Sequence, residues 1–171
     1  MSFLSHVCLM ADPRGRVNRK ALLWVAIALL SIQALAVAAA VLTSPPILHF
    51  ALAVVKLASL WIATAAAIKR LHDLGLSGWW VPGGILIQFV WTLVACFASF
   101  LVFGEAVADI GSGEFVVYAV AVMSLPLAVT VWLHFAPGTV GPNKYGPEPD
   151  ESGLSMPERA SRGSVMAVPA T

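Results

Sequence analysis

Four long apolar runs set the terms on which this chain can fold. They cover about residues 21–42, 48–68, 81–103 and 115–135. At about 1.5 Å rise per residue, a helix of any of these lengths crosses a hydrocarbon layer roughly 30 Å thick. No water is present inside such a layer to satisfy backbone amides, so helices are the economical spanning structure. A membrane barrel would need alternation of polar and apolar residues, which is absent. The expected fold is an all-α membrane protein, a four-transmembrane-helix bundle. Composition agrees: 11% of the 171 residues are charged and mean hydropathy is +0.86, whereas a soluble domain carries about 25% charged residues. A net charge of +1 provides no field to hold nucleic acid. Cys8 and Cys96 lie far apart in unlike surroundings, so no disulfide framework is expected.

Between the runs lie short polar segments. Residues 1–20 form a basic leader with Arg14, Arg16, Arg19 and Lys20. Ala36-Val37-Ala38 is like a signal-peptide cleavage site, but the first run is long and continues past it, so it is expected to remain a span. Thr43-Ser44-Pro45-Pro46 leaves room for nothing but a tight turn, which makes spans one and two antiparallel neighbours. Lys69 to Trp80 forms a polar hinge between spans two and three. In it Lys69 and Arg70 suit a helix C-terminus, Gly75 can close that helix, Ser77 is placed to cap the next one, and Pro82 fits its first turn. The 104–114 loop holds Glu105, Asp109 and Glu114 and no cation. From Pro147 onward the chain is rich in Pro, Ser, Glu and Gly, and is expected to be disordered. The expected division is a leader (1–20), a membrane domain (21–146) and a flexible tail (147–171).

Orientation follows from the cations. Nine of the ten Lys and Arg residues flank the runs on one side, and the tenth, Lys56, lies inside span two. The positive-inside rule then puts both termini and the hinge in the cytoplasm, with Trp24, Trp79, Trp80 and Trp132 in the aromatic belt at that face.

Three motifs stand out at these polar positions. The first is Gly15-Arg16-Val17-Asn18-Arg19-Lys20 followed by Trp24. The second is Arg70-Leu71-His72-Asp73, then Gly75, then Ser77-Gly78-Trp79-Trp80. The third is Pro137-Gly138-Thr139, then Gly141, then Asn143-Lys144-Tyr145-Gly146-Pro147-Glu148-Pro149. Through them the chain resembles a family of small bacterial inner-membrane proteins that share domain of unknown function 805, the YhaH/YhaI-like group. The family pattern commonly has arginine where Lys69 stands, and polar or basic residues where Leu74 and Leu76 stand. The resemblance implies a multi-pass protein of the bacterial inner (plasma) membrane, and it implies no reaction.

A bilayer brings all three motifs to one face. Arg16, Asn18, Arg19, Arg70, His72, Asp73, Asn143, Lys144 and Tyr145 are therefore candidates for one polar plate, bracketed by Trp79 and Trp80. Such a plate can lock helix ends together, hold anionic phospholipid headgroups at about 1 kcal/mol per cation, or dock a protein partner. Catalysis is not expected. His72 and Asp73 are adjacent and would point about 100° apart on a helix, and no nucleophile motif or metal-ligand spacing occurs. No cofactor is implied. A second candidate site centres on Lys56, roughly 12 Å below the opposite boundary by helix rise, with Gln33, Ser124 and the Val122 carbonyl freed by Pro126 at similar depth. The expected function is a non-enzymatic membrane protein whose cytoplasmic plate binds lipid headgroups or a partner, with a homo-oligomer possible. The alternative is a small transporter or channel subunit that uses Lys56.

Overall fold

The computed structural model describes residues 10–42, 46–150 and 153–155. Four long helices dominate: α1 (Arg19–Leu42), α2 (Pro46–Asp73), α3 (Trp80–Phe103) and α4 (Gly113–Phe135). A 3-10 turn, Gly104–Ala108, follows α3. Two short strands, β1 (Arg16–Val17) and β2 (Leu154–Ser155), pair antiparallel. All four helices are long and apolar enough to cross a membrane, and the chain is a multi-pass membrane protein. Large apolar side chains such as Leu30, Leu35, Phe97 and Leu101 stand exposed along them, as lipid contact requires. The contacts divide the chain into two compact units, Met1–Gly78 with Ala136–Thr171, and Trp79–Phe135.

In the second unit α3 packs against α4, and the polar residues serve the backbone. Pro126 has no amide hydrogen, so the carbonyl of Val122 loses its helical partner. Gln88 Nε2 donates to that carbonyl at 3.2 Å, and Trp91 Nε1 donates to the Ala121 carbonyl at 2.9 Å. The start of α4 is capped by Ser112, whose Oγ accepts from the Phe115 amide at 3.0 Å.

In the first unit α1 packs on α2. The hinge differs from expectation. Lys69 and Arg70 lie near the helix C-terminus as expected, but α2 continues through Asp73 and outruns its apolar stretch by five residues. Chain from the leader and from beyond α4 satisfies polar groups of Arg70, His72 and Asp73 there. Six residues, Leu74 to Trp79, separate α2 from α3. Gly75 takes φ +76°, the Gly75 amide bonds the His72 carbonyl at 3.0 Å, and the Leu76 amide bonds the Leu71 carbonyl at 2.8 Å. This is a Schellman closure built on the glycine expected to make it. The N-cap position of α3 is Trp79, which has helical φ/ψ and no side-chain cap bond. Pro82 lies in the first turn, where its missing amide hydrogen costs nothing.

The leader and the tail also depart from the plain polar segments expected. The carbonyl of Ala11 accepts from Trp61 Nε1 at 3.0 Å. Trp61 precedes Asp73 by twelve positions, about 18 Å along α2, so this part of the leader runs back along the helix. Asn18 caps α1, its Oδ1 accepting from the Ala21 amide at 2.9 Å. The expectation of disorder from Pro147 is not met at Leu154–Ser155, which pair with β1 and bury Leu154 against Val17 and Ala21. Residues 156–171 and Cys8 lie outside the described residues.

The Gln88 bond generates a coupled prediction. Gln88→Leu is expected to lower the unfolding midpoint in detergent, and to do so much less in a Pro126→Ala background, where a restored amide serves the Val122 carbonyl. A double-mutant cycle should report a coupling of about 0.6–2 kcal/mol. A cycle with no coupling would show that the carbonyl is satisfied by other means.

Candidate functional site

The site is built on the C-terminus of α2. A helix leaves its last four carbonyls without intrahelical partners, and here all four are served. The carbonyl of Arg70 accepts from the Leu74 amide and that of Leu71 from the Leu76 amide. The His72 carbonyl accepts from the Gly75 amide and from Asn143 Nδ2 at 2.9 Å. The Asp73 carbonyl accepts from both the amide and the hydroxyl of Thr139, at 2.8 and 2.9 Å. Half of this capping comes from the segment after α4, about 65–70 residues away in sequence.

Asp73 is the centre of the side-chain network. One carboxylate oxygen, Oδ1, accepts from Arg16 Nε at 3.1 Å and from Arg16 Nη2 at 2.8 Å. The other, Oδ2, accepts from Arg70 Nη1. Arg16 also donates to the carbonyls of Gly141 at 2.6 Å and Thr139 at 2.5 Å, and Arg70 Nη2 donates to that of Ala136. Arg16, Arg70 and Asp73 are 0, 1 and 3% exposed. A planar guanidinium with five fixed donors suits a socket of carboxylate and carbonyl oxygens, where lysine would reach fewer of them. The loop sits directly on this pair. A Cβ added to Gly138 would lie 2.1 Å from Asp73 Oδ2.

His72 faces elsewhere. Its ring stacks on Tyr145 with centroids 3.9 Å apart and an interplanar angle of 9°, and Nδ1 lies 3.1 Å from the Gly15 carbonyl. Lys144 Nζ stands 4.9 Å from the centroid of Tyr145. His72 and Asp73 thus have separate partners, as their adjacency on a helix implies, and do not form a dyad. Asn143 closes a turn with Gly146 and accepts from the Tyr145 amide.

Beside this junction opens a cavity of about 240 Å³, lined among others by Arg16, Asn18, Arg19, Arg70, Asp73 and Glu148. Arg19 is exposed. Glu148 Oε2 accepts from the Gly141 amide at 2.8 Å. Of the expected plate, the first unit therefore brings together Arg16, Arg70, His72, Asp73, Asn143 and Tyr145, with Asn18 and Arg19 at the rim. Trp79 and Trp80 stand exposed at the start of α3, in the second unit. The residues of the second expected site divide between the two units, Lys56 and Gln33 in the first and Ser124 in the second. Lys56 is exposed on α2, Gln33 is half-buried on α1, and Ser124 donates to the Ala121 carbonyl of its own helix. The Val122 carbonyl, freed by Pro126 as expected, accepts from Gln88.

Sequence reasoning missed the residues that hold the arginines through their backbone. Ala136, Thr139 and Gly141 act through carbonyls, which any residue type carries, so no side-chain pattern could have singled them out. Gly138 was detectable as part of a Pro-Gly pair, yet that pair signals a helix stop as readily as a seat for a carboxylate.

Asp73→Asn leaves two buried guanidiniums facing a neutral amide and is expected to cost roughly 3–5 kcal/mol. Gly138→Ala forces the loop off the carboxylate and should also destabilise, whereas Arg19→Gln at the exposed rim should not. Thermal unfolding in mild detergent checks this order, and a wild-type midpoint for Asp73→Asn would show that the node does not hold the fold.

The family model of DUF805, a protein of unknown function, matches residues 10–147. No curated protein and no solved structure matches the chain. Because the family match takes in all four long helices, the Arg16–Asp73–Arg70 node and the loop that closes it, the chain belongs to the DUF805 family.

Proposed function

We propose that the protein is a non-enzymatic, multi-pass protein of the bacterial inner membrane whose cationic, cytoplasmic face binds anionic phospholipid headgroups. The carrying observation is the cavity beside the node. Its lining has three guanidiniums, from Arg16, Arg19 and Arg70, against two carboxylates, from Asp73 and Glu148. Two of the arginines are fixed by the Asp73 network, which leaves the exposed Arg19 as the group able to meet a phosphate.

Position supports the reading. Arg19 is the first residue of α1, where a membrane-crossing helix leaves the hydrocarbon for the headgroup layer. The positive-inside rule turns this end towards the cytoplasm, whose leaflet is rich in anionic lipid. A non-enzymatic role is supported by the engagement of the polar groups: Asp73 accepts from arginine on both oxygens, and the His72 ring is held between Gly15 and Tyr145. A general base needs a free acceptor within reach of a substrate proton.

The test is retention of lipid through purification in mild detergent, read by native mass spectrometry. Wild-type protein is expected to retain phosphatidylglycerol or cardiolipin, and Arg19→Gln to retain severalfold less while melting at the same temperature. Equal retention by the two would refute the headgroup assignment.

A further inference from the structure

The family match ends at Pro147, but the ordered chain does not. Residues 148–150 and 153–155 attach to the junction at two points. At the first, Glu148 and Pro149 form part of the cavity wall, with the Glu148 carboxylate held by the Gly141 amide. The same Gly141 gives its carbonyl to Arg16, so one residue ties the acid to the buried arginine.

At the second point the chain lies against the leader. Leu154 pairs with Val17 and Ser155 with Arg16, the Gly153 carbonyl accepts from the Asn18 amide at 3.0 Å, and Ser155 Oγ accepts from the Arg16 amide at 3.0 Å. The fit is close. A Cβ on Gly153 would lie 2.6 Å from that of Ala21 and 2.8 Å from Asn18 Oδ1, and the φ of +81° favours glycine as well. Charge complements the contact: the strap carries Glu148 and Asp150, and the leader carries Arg14, Arg16, Arg19 and Lys20. The attachment is small, two residue pairs and one buried leucine, and a two-stranded pairing of that size is marginal by itself.

We infer that this strap is an inhibitory device: it holds the Glu148 carboxylate against the cavity, where that carboxylate opposes entry of a phosphate headgroup. Entry of the headgroup and release of the strap from β1 are then linked, because the incoming phosphate and Glu148 compete for one positive field. This rests on the headgroup reading above, and the experiment separates the two.

Full-length protein in detergent is titrated with phosphatidylglycerol, and occupancy is followed by native mass spectrometry. Hydrogen exchange is read at the amides of Arg16 and Asn18, which bond to the strap. Glu148→Gln keeps an acceptor for the Gly141 amide and removes the charge. It should raise phosphatidylglycerol affinity roughly fivefold, the value of one charge near a membrane surface. Gly153→Val should raise it as well, by prising β2 from the leader. In the wild type, lipid should speed exchange at Asn18. If Arg19→Gln lowers binding but Glu148→Gln and Gly153→Val bind as wild type does, the site stands and the strap is refuted. If Arg19→Gln has no effect, the headgroup reading fails and the strap's role with it. Release of the strap by inorganic phosphate as readily as by lipid would overturn the assignment to a headgroup.

Discussion

One carboxylate, that of Asp73, accepts from two arginines that come from different parts of the chain. Arg70 lies one helical turn before it, while Arg16 arrives from the leader, and both guanidiniums continue into carbonyls of the segment after α4. Burying charge is costly unless every donor and acceptor is matched, so this node tolerates few alternatives. A leader displaced by one residue, or a loop with a side chain at Gly138, would leave a guanidinium without its socket. The node is therefore a register device. It fixes which residue of the leader meets which residue of α2, and where the chain must return after α4.

A second constraint acts throughout the molecule: backbone polar groups removed from water need partners within the protein. At the end of α2 the carbonyls of His72 and Asp73 take donors from Asn143 and Thr139. In α4 the carbonyl freed by Pro126 takes one from Gln88. Both cases follow one logic, in which a break in the helical ladder is repaired by a polar side chain from elsewhere. Polar residues that look like functional candidates in an apolar chain are thus first claimed by structural duty, and Arg19, exposed beside a cavity, stands out because the node does not use it.

That distinction shapes the functional proposal. A plate whose members are mostly engaged with one another is a poor place for chemistry and a good platform for recognition, since a rigid, cationic surface needs no reorganisation when an anion arrives. In the proposed reading the node orders its surroundings, the rim meets the headgroup, and the strap sets how open the rim is.

The sequence by itself determined the membrane class, the four helices to within a few residues at most ends, and the identity of the polar junction. Hydrophobic length and the distribution of cations are properties of the chain before it folds, and the lipid solvent leaves few ways to satisfy them. Gly75 was legible as the closing residue of α2 for a similar reason: few other residues take φ +76° without strain. Tertiary structure alone decided which groups pair. That Asp73 faces Arg16 and Arg70 while its neighbour His72 stacks on Tyr145 depends on where the leader and the post-α4 loop return to α2. The extension of α2 through Asp73, the capping role of Asn18, the strand at Leu154–Ser155 and the engagement of Val122 by Gln88 are all of this kind. Each depends on a partner distant in sequence, and local propensity carries no record of such partners.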